Sequence, residues 1–171
     1  AKRFREEAEA AIALDSKHIQ SRLFLISYYA GAPGIAGGDK KKAEQIVGEV
    51  ASIDAAWGHL ARARMVLELE PASGKQDGAQ LAALYQKALG AAKTPDVRLE
   101  ALTSLVNLYL SAAAQNFELA EQYARAAMSI DPHRSNPYTG LPIAFAARGK
   151  SAELDATLAE TEKAVPDNLA P

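Results

Sequence analysis

The sequence predicts an all-α protein built of antiparallel helix pairs, and three observations predict it. Alanine and other strong helix formers fill most of the chain. Valine, isoleucine and the aromatics nowhere alternate with period two over the length of a strand. One helical face also recurs at a near-constant interval. With 171 residues, 49% of them apolar and 23% charged, the chain is expected to be globular and to form one domain over 1–171.

Nine helical segments are expected in order: 2–15, 17–30, 40–53, 57–69, 78–92, 96–113, 117–130, 136–148 and 151–164. Their boundaries have mechanisms. Asp39 can cap the helix that begins "KKKAE", and Thr94 followed by Pro95 is a cap with proline in the first turn. "IDPHRSNP" stops one helix and starts another, while "EPASGKQDG" reads as a loop.

The recurring face has spacing i, i+4, i+7, followed five residues later by a stop. It comprises Phe4, Ala8 and Ala11 before Ser16; Ala43, Val47 and Val50 before Ala55; and Leu81, Tyr85 and Ala88 before Lys93. It continues with Ala120, Ala124 and Ala127 before Pro132, and Leu154, Leu158 and Thr161 before Pro166. Offsets of four and seven share one helix side, and small or apolar groups there let a neighbouring helix approach closely. The stops are separated by 39, 38, 39 and 34 residues (55−16, 93−55, 132−93, 166−132). The last interval is the length of a plain helix-turn-helix repeat; "GAPGIAGG", "PASGKQDG" and "SAAAQN" supply the extra residues of the others, the last as a loop or as extra helix.

On these residues the chain resembles the tetratricopeptide repeat (TPR) family. "AEQYARAAMSIDP" (120–132) looks like the family's second helix, and "LVNLYLSAAAQNFELA" (105–120) like its first helix with Tyr109 before the turn and Phe117 after it. "FAARGKSAEL" (145–154) looks like the aromatic, turn glycine and start of the next second helix. The resemblance is strong over 96–166 and weaker over 57–93, where Met65, Glu68 and Leu81 depart from the pattern. It implies a right-handed superhelical solenoid. "YYAGAPGIAGGDKKKAE" (28–44) is similar to bacterial, often exported TPR proteins with an "AP…GGD" insertion in the first turn, and more distantly to TPR components of periplasmic solute transporters. That similarity implies export or a periplasmic location.

Several chemistries are disfavoured by the residues themselves. The net charge of −2 argues against a nucleic-acid binder held by phosphate contacts, and the absence of cysteine removes disulfides, thiolate ligands and cysteine nucleophiles. Gly31, Gly34, Gly37 and Gly38 fit neither the dinucleotide fingerprint nor a P-loop, so they are expected to lengthen a turn. Lys40, Lys41 and Lys42 open the next helix against its dipole, each costing about 0.3–1 kcal/mol, which an anionic partner could relieve. "AFAARGKS" (144–151) matches a loosened P-loop but lacks the preceding strand. His18, His59 and His133 form no metal-binding pair, and Glu68 and Glu70 point to different sides of a helix. No cofactor, metal or catalytic constellation is expected, and no apolar run reaches membrane-spanning length.

The resemblance also implies a partner-binding groove lined by the first helix of each pair. It carries the inward positions onto Gln20, Leu23 and Ser27; onto His59, Arg62 and Val66; onto Thr103, Asn107 and Leu110; and onto Asn136, Thr139 and Ile143. Arg62 is the one basic candidate among them, so a carboxylate clamp is not expected. The reading is a non-catalytic scaffold for a protein segment or peptide. A small-ligand capture protein serving a transporter is the alternative, with a pocket rimmed by Tyr28, Tyr29 and the 31–38 loop. Trp57 is expected to pack against a neighbouring repeat. The chain reads as a piece of a longer protein, in which unpaired solenoid ends would favour self-association.

Overall fold

The computed structural model describes residues 2–69, 77–131 and 135–164, with side chains placed for 3–69, 77–131 and 140–160. The described chain is all-helical: α1 (Lys2–Leu14), α2 (Ile19–Gly31), α3 (Lys40–Ile53), α4 (Ala55–Leu69), α5 (Gly78–Ala91), α6 (Pro95–Leu110), α7 (Phe117–Ile130), α8 (Ser135–Ala147) and α9 (Ser151–Ala164). A 3₁₀ turn, Gly34–Ala36, lies between α2 and α3, and no strand occurs among the described residues. The chain divides into two compact units, 1–76 with 90–92 and 77–89 with 93–171.

In the first unit, side-chain partners fix the helix directions. Near the start of α2, Arg22 meets Glu49 near the end of α3, whereas Tyr29 near the end of α2 meets Lys42 near the start of α3. These two helices are therefore antiparallel. Glu44 of α3 pairs with Arg62 of α4, and Gly58 lies against Ala51, so α3 and α4 are antiparallel as well. Helices α2 and α4 also touch, and they run parallel: Arg64 reaches Ser27, and Glu68 lies against Gly31, each 37 residues on (64−27, 68−31). Leu23, Ile26, Tyr29, Ala43, Val47, Val50, Ala61 and Met65 fill the space between them. Burying a side chain such as Ile26, which is 0% exposed, is worth about 1.5–3 kcal/mol. Trp57 packs against this same core.

The second unit repeats the arrangement. Tyr109 of α6 stacks on Tyr123 of α7, and Leu102 packs near Ala127 and Ile130, an antiparallel pairing. Arg125 lies over the Phe145 ring and Glu121 binds Arg148, so α7 and α8 are antiparallel too. Helix α8 also contacts α6, where Gly140 makes room for Val106 and Leu110. Val106, Ala124, Leu141 and Phe145 form the core between these three helices.

The recurring i, i+4, i+7 face is buried in all three central sets: Ala43, Val47, Val50; Leu81, Tyr85, Ala88; and Ala120, Ala124, Ala127. In α1 and α9 it is only part covered, with Phe4 63% and Leu158 47% exposed. Thr161, Pro132 and Pro166 lie outside the described side chains.

Some boundaries differ from expectation. Helix α4 begins at Ala55 because the Asp54 carboxylate accepts the Trp57 backbone N–H. Helix α6 ends at Leu110 rather than 113: Ser111 Oγ donates to the Leu108 carbonyl and the Asn116 N–H returns to Tyr109. "SAAAQN" is thus a turn, and Asn116 caps α7 by accepting the Leu119 N–H. Thr94 has extended N-cap geometry but makes no side-chain cap bond. The loop "EPASGKQDG" lies mostly outside the described residues, although its Asp77 accepts the Gln80 N–H to cap α5.

Candidate functional site

The parallel contact of α2 with α4 creates the clearest continuous face. Gln20, Phe24, Ser27 and Gly31 recur along α2 at helical spacing and are exposed or half-buried, while hydrophobic neighbours such as Leu25 and Ile26 turn into the core. On α4, Arg64 and Glu68 stand one turn apart and are exposed. The Arg64 guanidinium donates to Ser27 Oγ at 3.4 Å. Gly31 leaves room for the Glu68 carboxylate; a methyl there would meet Glu68 Oε2 at 2.7 Å. This face therefore presents a hydroxyl, an amide, both signs of charge and one aromatic ring.

The structure sorts the sequence-predicted residues. Gln20 is exposed and Ser27 half-buried on this face. Leu23 is 4% exposed and belongs to the core with Ile26, Val47 and Ala61, so it offers a partner no surface. Arg62 turns to α3, where its guanidinium meets both carboxylate oxygens of Glu44. That contact raises the Arg62 pKa and lowers that of Glu44. The basic group on the α2/α4 face is Arg64 instead. His59 and Val66 are half-buried on α4.

In the second unit, Thr103, Asn107 and Leu110 recur at i, i+4, i+7 along α6, with Asn107 exposed and the other two half-buried. Ile143 on α8 is 54% exposed. The side chains of Asn136 and Thr139 lie outside the described residues.

Arg64, Glu68 and Phe24 are what sequence reasoning missed for this face. The available signal was the shared 37-residue offset, which pairs Ser27 with Arg64 and Gly31 with Glu68. The stop spacing of the second helices, 39 residues in that region, runs two residues longer and hides the register.

The glycine-rich stretch is a closed turn. Tyr28 Oη donates to the Ala36 carbonyl at 2.7 Å, and the Asp39 N–H donates to Tyr29. Gly37 has φ +93°, the left-handed region that glycine enters without strain. Asp39 accepts the N–H groups of Lys41 and Lys42, which supplies the negative charge that the lysine-rich helix start needs. Lys42 Nζ donates to Tyr29 Oη at 2.6 Å, and Tyr29 Oη donates to Glu9 at 3.0 Å. The hydrogen bond to Tyr29 raises the Lys42 pKa against the opposing effect of burial, with Glu9 adding to the rise.

"AFAARGKS" is likewise structural. Residues 144–147 complete α8, Gly149 takes φ +67°, and Lys150 binds Glu121 at 3.3 Å. Glu121 also binds Arg148 at 2.7 Å and Arg125 at 3.1 Å. Burial pushes the Glu121 carboxyl up, but the hydrogen bonds and charges of Arg125 and Lys150 outweigh it and hold the group below the usual carboxylate range.

Clefts open on the surface of the described residues, and two of them bear on the sites considered above. One, about 250 Å³, lies between α1 and α2 and is lined by Phe4, Ala8, Phe24, Gln20 and His18. His18 faces it while its Nδ1 accepts the Ser21 N–H and caps α2. The other, about 310 Å³, lies among α5, α6 and α7. Tyr28 and Tyr29 line neither. His133 and Glu70 lie outside the described residues. Among the described residues no three His, Cys, Asp or Glu side chains gather to hold a metal ion, and no helix is long and apolar enough to cross a membrane. No family model matches this chain, and comparison with curated proteins and with solved structures returns no match.

Proposed function

We propose that this protein is a non-catalytic interaction scaffold of the TPR kind, a right-handed solenoid that holds a peptide segment along its first helices. The observation that carries the reading is the parallel stacking of α2 on α4 at a constant 37-residue offset. In such an arrangement a stripe of side chains on one helix is continued by the next, and an extended peptide can lie across both. The stripe here is Gln20, Phe24 and Ser27 continued by Arg64 and Glu68, and Asn107 marks the corresponding stripe of the second unit. Side-chain amides donate and accept at once, which suits them to a peptide backbone, while Arg64 and Glu68 select for charges of either sign placed at the right spacing.

Panning a random peptide library against the chain tests this. Peptides recovered on the wild type are expected to lose at least tenfold in affinity on Ser27→Arg or on Asn107→Arg, according to the unit they engage, and to keep it on Gln86→Arg, an exposed position of α5. Equal binding by all three variants would remove the groove from the account.

A further inference from the structure

We infer that the cleft among α5, α6 and α7 is a binding site for a small amphipathic carboxylate, a ligand with an acyl or aryl body and one acid group. This goes beyond the peptide groove, because it uses different residues and a different face of α6. The cleft is about 310 Å³, at the lower end of the range for small-molecule sites. Its floor is apolar: Leu89 from α5, Leu102 from α6, and Ala126 and Ile130 from α7. Ala126 stands midway along the lined stretch of α7, where a larger side chain would fill part of the cleft.

The polar groups stand at the ends. Along α7 the lining residues run from Gln122 to Ile130, a span of about 12 Å at 1.5 Å per residue. Because α6 is antiparallel to α7, Arg98, one turn before Leu102 and likewise lining the cleft, stands toward the Ser129–Ile130 end. Gln122 and the Tyr123 phenol mark the other end. Tyr123 is held in place by stacking on Tyr109, with centroids 5.8 Å apart and planes within 5°. A cation at one end of an apolar trough matches a ligand with a carboxylate at one end of an apolar body. Five N–H donors let Arg98 serve such a carboxylate while keeping contacts within the protein.

Octanoate is the probe. Titrated into the ¹⁵N-labelled chain, it is expected to shift the amides of Leu89, Leu102, Ala126 and Ile130 in a saturable way. Arg98→Gln is expected to weaken binding at least tenfold. Ala126→Phe is expected to abolish it with the amide spectrum otherwise intact, and Arg98→Gln keeps the test valid if Ala126→Phe disturbs packing. Equal affinity for 1-octanol would overturn the assignment of an acid. Absence of saturation at millimolar octanoate, or shifts confined to the Phe4–Phe24 cleft, would overturn the site itself. None of these outcomes depends on peptide binding at Ser27 or Asn107.

Discussion

The turn between α2 and α3 and the turn between α8 and α9 do the same job by different means. Both reverse the chain after a helix and both use a glycine at positive φ, Gly37 and Gly149. The first is long and is closed by neutral hydrogen bonds: Tyr28 to Ala36, Gly38 to Pro33, Asp39 to Tyr29. The second is short and is a Schellman turn, in which the Lys150 N–H returns to Phe145 and the Gly149 N–H to Ala146. Charge reinforces it: Arg148 and Lys150 converge with Arg125 on Glu121, and Arg125 and Lys150 also flank the Phe145 ring. An insertion that lengthens a turn must bring its own internal bonds. A minimal turn can instead borrow partners from the helix it packs on.

The two turns differ most at their glycines. A methyl on Gly38 would run into the Ala32 carbonyl, which cannot retreat without unwinding the end of α2. Gly38→Ala is expected to cost the first unit about 3 kcal/mol or more. Gly149 has open space around it, so Gly149→Ala should cost only the left-handed backbone, about 1–2 kcal/mol. Native-state amide exchange reads the two units separately and should show each loss in its own unit.

The next largest effect separates the turns by charge. Glu121→Gln leaves Arg125, Arg148 and Lys150 facing a neutral amide, and the second unit should lose about 1–3 kcal/mol. The pH dependence follows with a definite sign. The folded carboxyl titrates below its ordinary value of 4.5, so its contribution is fully present above that value and is lost as pH falls through the lower folded one. The protection factors of amides in α7 and α8, which are free of the intrinsic pH dependence of exchange, should therefore fall below about pH 4.5 in the wild type, and Glu121→Gln should flatten that part of the profile. If the mutant keeps the same acid limb, other carboxylates dominate it.

Tyr28→Phe removes a single exposed hydrogen bond and is expected to cost about 0.5–1 kcal/mol, unaffected by salt because neither partner is charged. The contribution of Glu121, by contrast, should shrink between low and high ionic strength. A salt-sensitive Tyr28→Phe penalty would show that the long turn is tied to the lysines that follow it.

The helices were legible in the sequence because their signals are local. The i, i+4, i+7 face placed Val47, Leu81 and Ala124 in the interior, and Asp39 announced its helix start. Two misses have one cause. A repeat pattern places Leu23 and Arg62 only by register, and a shift of one or two residues along a helix turns a side chain by about 100° per residue. Leu23 went into the core and Arg62 went to Glu44. Thr94 shows a different limit: cap geometry formed, yet the hydroxyl bonds no backbone group of the helix, and rotamer choice has no local signature.

The residues alone announced that this chain is helical, where most helices begin and end, and the buried face of the three central sets, because propensity, capping and periodicity act over one or two turns. The tertiary structure decided which exposed residues meet. Ser27 with Arg64, Gly31 with Glu68, and Arg98 with Ala126 around one cleft are set by the offset between packed helices. That offset depends on loop length and on how small residues let helices approach, and neither is written at the positions it brings together.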